Sequence, residues 1–331
     1  MRPEHVGYLA CPACRAGLEI GEVRSRTEAG VEEGELRCTA CAAAYPIRRH
    51  VPRLAPGENY AVNFGLEWLI HRTTQLDEVT GTDASRRRFF EETRWPERLE
   101  GEVVLEVGSG AGRFTGHAAS TGAMVISLDY SHAVEANYTT NGHLPNLLIV
   151  QGDVYALPVP PASVDRVVCL GVLQHTPDPE RAFHALLGPL KAGGTVAVDV
   201  YALRWYTPLI TKYWVRPVTR RVPADRLYRW TRRYVHAVWP LARRLGRLPG
   251  GGRLLNQLLV MDNGAPYALS DEQRREWAVL DTFDVLSPAY DRPQSLRAIG
   301  RWFRRAGLQQ VEVHNGWNGI EARGVKPADA A

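Results

Sequence analysis

The stretch VVLEVGSGAGRF, Val103 to Phe114, sets the tightest limit on what this chain can fold into. Residues 102–107 alternate weakly and are rich in β-branched valine, which suits a strand buried in a parallel sheet. Three glycines follow at alternate positions, and a helix can begin over Arg113 to Ala119. Such a turn offers backbone N–H groups to a ligand. A dinucleotide fingerprint needs G-x-G-x-x-G, and a P-loop ends in Gly-Lys-Ser/Thr. Here Gly108, Gly110 and Gly112 are followed by Arg113. The spacing argues against both ligands, and G-x-G alone is a weak pointer to something nucleotide-like.

The downstream strands strengthen it. A second strand, AMVISLD, ends at Asp129. An acid at that tip can accept hydrogen bonds from both ribose hydroxyls, or it can cap the helix over SHAVEAN. A third strand, NLLIVQGD, ends at Asp153, which can reach an adenine amino group or cap the next turn. A fourth, VDRVVCLGVLQH, ends at His175, and a fifth, GGTVAVDVY, follows LKAG. The carboxyl ends of such strands line the ligand crevice of an open α/β sheet. Glu106, Gly108, Asp129, Asp153 and His175 should therefore converge.

VVLEVGSGAGRF, ISLDYS, VQGDVYALPVPPASVDRVVCLGVLQHTPDP and LKAGGTVAVDVY resemble, in order and spacing, the class I S-adenosylmethionine-dependent methyltransferases. The resemblance implies an α/β, Rossmann-like sheet of seven strands and S-adenosyl-L-methionine as cofactor. That cofactor has a ribose and an adenine but no phosphates. It implies cofactor contacts from Glu106, Gly108, Ser109, Gly110, Gly112, Asp129, Tyr130, Asp153, Val154, Leu170 and Gln75. Glu106 orients the loop or reaches the amino end of the cofactor. His175 is the candidate catalytic base, with acceptor positioning and a purely structural role as the other readings. Gln174, Asp281, Asp284 and Tyr290 are candidate substrate contacts, and Gln174 can instead touch the cofactor. Asp291 shares their loop. Tyr60, Asn63, Phe64, Trp68 and Gln75 can form a lid, although core packing suits Phe64 and Trp68. Pro288 and Pro293 argue against a helix across DTFDVLSPAYD.

Four of the five cysteines form two pairs, Cys11-Pro-Ala-Cys14 and Cys38-Thr-Ala-Cys41. Two C-x-x-C knuckles can place four thiolates around one tetrahedral zinc, which leaves no open position for catalysis. A redox role and an empty site are the competing readings. Short strands are expected over LEI, GELRC and YPIRRHVPRL. Cys169 stands alone in an apolar run and reads as core. The front of the chain resembles the zinc-ribbon, Trm112-like domain that precedes some methyltransferase domains. With the linker and WAVLDTFDVLSPAYDRP, it resembles a bacterial subgroup associated with saccharide and natural-product assembly.

The whole chain has 331 residues, room for about two domains, and a net charge of +4. Charge is unevenly placed. Arg204 to Arg253 holds twelve arginines, one lysine and one acid, Asp225. Trp205, Trp214, Trp230 and Trp239 interleave with them, and Pro208, Pro217, Pro223 and Pro240 should break the run into short helices. LPGGGR reads as an exposed turn. This insertion can be a helical cap and dimerisation arm, a grip for a phosphorylated or lipid-linked acceptor at a membrane surface, or an RNA-binding face. PQSLRAIGRWFRRAG reads as an amphipathic helix, and LQQVEVH and GIEARG as the last strand pair.

The expected organisation is a zinc ribbon over 1–56, linker and lid helices over 57–100 and a cofactor-binding core over 101–201. A helical cap and substrate loop follow over 202–292, then the last helix and strand pair over 293–325 and a disordered tail over 326–331. No apolar run is long enough for a membrane span, and the start lacks the apolar core of a signal peptide, so a cytoplasmic location is expected. The expected activity is methylation of a small polar acceptor, by O-methylation of a sugar or natural-product hydroxyl. An rRNA or tRNA methyltransferase and a non-catalytic cofactor-binding scaffold are the alternatives. A homodimer is compatible with the cap.

Overall fold

The computed structural model describes every residue except 58, 249–259 and 329–331. The expected LPGGGR turn and the end of the tail lie outside the described residues. The N-terminal module is an antiparallel sheet of β1 (Leu18–Thr27), β2 (Gly30–Cys38), β3 (Ala44–Arg48) and β4 (Val51–Pro52), in that order. Its strands are longer than LEI and GELRC suggest, because β1 and β2 continue into a hairpin that closes at Gly30. The module docks on the core through main-chain bonds from Leu54 N–H to the Gln151 carbonyl (2.8 Å) and Ala10 N–H to the Pro158 carbonyl (3.0 Å). Arg53, almost buried, reaches Glu135 at 3.0 Å and Gln151 Oε1 at 3.2 Å.

Helices α1 (Val62–Ile70), α2 (Asp77–Thr80) and α3 (Ala84–Thr93) lead into the core. The core runs β5 (Val103–Val107), α4 (Thr115–Ser120), β6 (Met124–Asp129), α5 (Val134–Asn141) and β7 (Leu147–Gln151). It continues through β8 (Val164–Cys169), α6 (Pro179–Leu186) and β9 (Leu190–Val200). The chain ends with α10 (Leu296–Arg305), β10 (Gln309–Asn315) and β11 (Ile320–Val325). The seven strands lie in the order β10-β11-β9-β8-β5-β6-β7, with β10 and β11 antiparallel and the others parallel. This is the Rossmann-like sheet. The order reverses at β5, so the crevice outside the ends of β5 and β8 is the switch point at which ligands bind. Cys169 is fully buried in β8 and packs in the core.

Three expectations about elements need correction. The fourth strand stops at Cys169, because Gly171 turns with φ +74°. His175 therefore sits in a short 3-10 turn, Leu173–His175, and not at a strand end. The segment holding Asp281 and Asp284 is a helix, α9 (Asp271–Leu286), started by a capping box between Ser270 and Gln273. Pro288 and Pro293 both lie beyond its end, so they never enter it. In the insertion, α7 (Thr211–Thr219) contains Pro217, and α8 (Ala224–Leu245) runs 22 residues through Pro240. Packing overrides the missing N–H there: Leu227, Val235, Trp239 and Ala242 bury against Ala278, Val279 and Phe283 of α9.

Candidate active site

The β5–α4 loop takes its shape from glycine. Gly108 has φ +81°, and a Cβ there would come within 2.1 Å of Val172. Gly110 has φ +53°, and a Cβ would stand 3.1 Å from the Trp68 ring. Beneath the loop, Glu106 is buried and accepts from Thr115 Oγ1 (2.6 Å) and Ser127 Oγ (2.7 Å). Burial pushes its carboxyl up to about 7. Asn137 donates to both hydroxyls, and Asn141 donates to the Gly112 carbonyl. This buried network pins the loop from below.

At the tip of β6, Asp129 accepts from Gly110 N–H (2.8 Å), Ser131 N–H (2.8 Å) and Ser131 Oγ (2.7 Å). Burial raises its pKa, and those donors oppose the rise. Asp129 thus serves as local cap and cavity wall together. The cavity above measures about 780 Å³, within the range of small-molecule sites. Tyr60 and Tyr130 stand 5.0 Å apart beside Asp129. On the loop's other flank Arg113 donates to Gln75 Oε1 (3.1 Å) and Ser85 Oγ (2.9 Å) and lies over the Trp277 ring.

The half of the cavity beyond β8 and β9 is different. His175 Nδ1 meets the Tyr290 carbonyl at 3.0 Å. Its ring is edge-on to Phe64 and Tyr201. Burial lowers its pKa, which Asp284 and Asp291 partly offset. Tyr201 donates to Asp284 Oδ2 at 2.9 Å, and burial raises the Tyr201 phenol. Asp281 accepts from Asn263 N–H and is pushed well up by burial and by Asp284. Glu67 is fully buried in α1, and neither carboxyl oxygen has a hydrogen-bond partner among the described residues. Burial first, then Asp284 and Asp281, push it well above the carboxylate range. The cations in this wall are otherwise engaged: Arg88 with Glu92 and Asp199, and Arg274 with Asp262.

The four paired cysteines also meet. The sulfurs of Cys11, Cys14, Cys38 and Cys41 all lie within 4.8 Å of one another, with Cys11–Cys41 at 3.7 Å and Cys14–Cys38 at 3.4 Å. A tetrahedron with 2.3 Å Zn–S bonds has edges of about 3.8 Å, so the cluster fits structural zinc. Each knuckle ends on a left-handed residue, Arg15 (φ +67°) and Ala42 (φ +58°).

A family model described as a methyltransferase domain matches residues 105–198, and one described as Trm112p-like protein matches residues 8–49. The chain thus carries a class I S-adenosylmethionine-dependent methyltransferase domain behind a Trm112-like domain. Phosphoethanolamine N-methyltransferase 1 of Arabidopsis thaliana is 31% identical over 140 residues, covering 39% of this chain and 28% of its own. Demethylmenaquinone methyltransferase of Clavibacter sepedonicus is 26% identical over 239 residues, covering 71% of this chain and 78% of its own. The chain spans 20% of the Triticum aestivum phosphoethanolamine N-methyltransferase. Among solved structures, Haemonchus contortus phosphoethanolamine N-methyltransferase 1 aligns at 15% identity and a TM-score of 0.43, covering 83% of this chain and 51% of its own.

The methyltransferase domain suits its cofactor in shape. Gly110 lines the cavity and lets the Trp68 ring of α1 pack close against the loop backbone. Asp129 stands at the tip where a ribose would lie. Arg113 lines the same wall as a cation that forms no close ion pair among the described residues. Of the residues expected there, Gly108, Ser109, Gly110, Asp129, Tyr130, Val154, Leu170, Gln75, His175, Asp281 and Asp284 line the one cavity. Glu106, Gly112, Asp153, Gln174 and Tyr290 lie outside its wall. Glu106 holds the loop instead, and Asp153 caps the turn Val154–Ala156 by accepting from Tyr155 N–H. Gln174 is fully buried, and Tyr290 contributes its carbonyl to His175. Glu67, Arg113, Tyr201 and Trp277 line the cavity without having been expected as site residues. Glu67 did leave a signal, as a lone acid in the apolar run FGLEWLI.

Proposed function

We propose that this chain is an S-adenosylmethionine-dependent methyltransferase that methylates a hydroxyl of a small polar acceptor, a sugar or natural-product alcohol, with His175 as general base. The carrying observation is the contact between His175 Nδ1 and the Tyr290 carbonyl. A carbonyl only accepts, so Nδ1 holds the proton and Nε2 keeps its lone pair. Burial keeps the ring neutral at neutral pH. The cofactor supplies a methyl group on a sulfonium leaving group. His175 takes the acceptor's hydroxyl proton at Nε2, and Asp284 and Asp291 stabilise the imidazolium that results. Phe64, Trp68 and Trp277 exclude water from the cavity. Asp281, held protonated by burial, hydrogen-bonds an acceptor hydroxyl as a donor. Alignment of the two reactants lowers the barrier by about 7–11 kcal/mol, and a positioned base adds about 10²–10⁴-fold.

The test is transfer of tritiated methyl groups to a fractionated cell extract, with His175→Ala beside wild type. Label entering the small-molecule fraction, reduced about 10²–10⁴-fold in the variant while S-adenosylhomocysteine affinity is kept, is the expected result. Activity should also fall at acid pH with a midpoint below the ordinary imidazole value of about 6.5. Label entering RNA, or a variant as active as wild type, contradicts the reading.

A further inference from the structure

The insertion reaches the candidate base without entering the cavity, since no residue of α7 lines its wall. What α7 touches is the strap of chain between α9 and α10, Ser287 to Ser295. The last carbonyls of a helix lack partners inside it and carry the negative end of its dipole. At the end of α9 they are met from α7. Arg216 Nη1 donates to the Val285 carbonyl (2.9 Å), and Thr219 Oγ1 to the Leu286 carbonyl (2.8 Å). The other arm of the same guanidinium, Nη2, crosses to the Pro288 carbonyl (2.8 Å). Asn63 of α1 donates to the carbonyl between, Ser287 (2.6 Å). Four successive carbonyls are thus fixed by three side chains, and Arg216 spans the corner where helix gives way to strap.

The strap then passes the base. The Tyr290 carbonyl meets His175 Nδ1 at 3.0 Å, and Arg292 N–H donates to the Gln174 carbonyl at 2.9 Å. Between those contacts Asp291, almost fully buried, pairs with Lys212 Nζ of α7 at 2.7 Å and stands 4.0 Å from Arg216 Nε. Arg216 is itself only 7% exposed, and a buried cation is costly unless its donors are bonded. Its donors go to the strap and to the helix end that leads into it. A helix that merely covered the strap could do so with apolar side chains. A planar guanidinium on two carbonyls fixes direction as well as distance.

We propose that Arg216 and Thr219 are positioning residues for His175: α7 holds the strap so that the Tyr290 carbonyl keeps the imidazole proton on Nδ1 and leaves Nε2 bare. An imidazole that loses its Nδ1–H acceptor is free to take the other tautomer. The hold is a matter of geometry, and only its purpose rests on the reading of His175 as base.

The experiment is nitrogen NMR of the full chain carrying isotope-labelled histidine, with His175→Gln identifying the resonances. At neutral pH wild type should show a neutral His175 ring protonated at Nδ1. Arg216→Met leaves Asp291 its lysine. It should shift the tautomer ratio towards Nε2–H by roughly ten-fold, the worth of one hydrogen bond. Thr219→Val is close in shape, disturbs the fold least, and should shift the ratio the same way by less. Arg216→Lys, which keeps the charge but not the fork, should fall between wild type and Arg216→Met. Val218→Ala, on the same helix but 66% exposed, should leave the spectrum unchanged. The charged groups facing the ring, Asp284, Asp291 and Lys212, are the same in all of these proteins, so the ring reports the strap. Affinity for S-adenosylhomocysteine, measured by titration calorimetry, should match wild type throughout. A wild-type spectrum in Arg216→Met or Thr219→Val overturns the proposal. So does a wild-type ring protonated at Nε2 or on both nitrogens, or an equal shift in Val218→Ala. The two claims separate: full methyl transfer by His175→Ala sinks the base and leaves the hold, whereas an unmoved tautomer in the α7 variants sinks the hold and leaves the base.

Discussion

Glu67 and Gly110 carry the sharpest consequences for single side chains. Glu67 is buried without a hydrogen-bond partner among the described residues, and its pKa stands well above the usual carboxylate range. A group whose folded pKa is raised contributes its full stability below its unfolded value, about 4.3, and loses it as pH rises toward the folded one. Asp281 and Asp284 face the same space, and Asp281 shifts in the same direction. Glu67→Gln should therefore flatten, without abolishing, a fall in Tm as pH rises above the unfolded carboxyl value of about 4.3. Calorimetric melts across that range check it, and an unchanged slope would mean that Glu67 ionises freely in the fold. Gly110 has φ +53° and the Trp68 ring close above it. Gly110→Ala should cost about 1–2 kcal/mol in backbone strain. It should also weaken S-adenosylhomocysteine at least about ten-fold by displacing the Trp68 ring in the cavity wall, read by titration calorimetry.

The elements differ in how plainly the sequence announces them. The strands β5 to β7 are largely apolar runs closed by glycine or acid, because both faces of a parallel sheet are covered. Their polar ends therefore stand out, and Asp129 at the tip of β6 was visible for that reason. The helix α9 was hidden: its prolines follow its end, and the capping box that starts it, Ser270 with Gln273, lies well before DTFDVLSPAYD. His175 was visible as a residue, but its place in a 3-10 turn depends on Gly171, whose φ +74° ends β8 early. Glu67 and Trp277 reach the cavity from helices far apart in the chain, and a pattern read along one segment carries no such contact. The ribbon was legible from cysteine spacing alone, whereas its docking on β7 was not. Removing its zinc should unfold the N-terminal sheet, since folding and binding of a four-thiolate site are one process. One zinc per chain by native mass spectrometry is expected. Chelation should then raise hydrogen exchange in β1 to β4 and at the Leu54 and Ala10 amides, which donate to the core. Exchange unaltered by chelation would contradict a structural metal.

Across the whole molecule, a zinc-stapled sheet braces one edge of a seven-stranded sheet, and an inserted helical layer closes the opposite end of its ligand crevice. The cavity between the seven-stranded sheet and that helical layer has two chemically distinct halves. Over β5 and β6 it offers glycine backbone, Asp129 and Arg113, matched to an adenosyl amino acid. Over β8 and β9 it offers His175, Tyr201 and acids whose pKa values burial raises, the half in which we propose that a hydroxylic acceptor binds. Those halves make Asp129 the residue on which most depends. Titration calorimetry of S-adenosylmethionine and S-adenosylhomocysteine into wild type and Asp129→Ala addresses it directly. Saturable binding of both by wild type, weakened by at least about 1.5–3 kcal/mol in the variant through lost hydrogen bonds to a charged group, is the result expected. Heats no larger than dilution in wild type, or equal affinity in the two proteins, would contradict it.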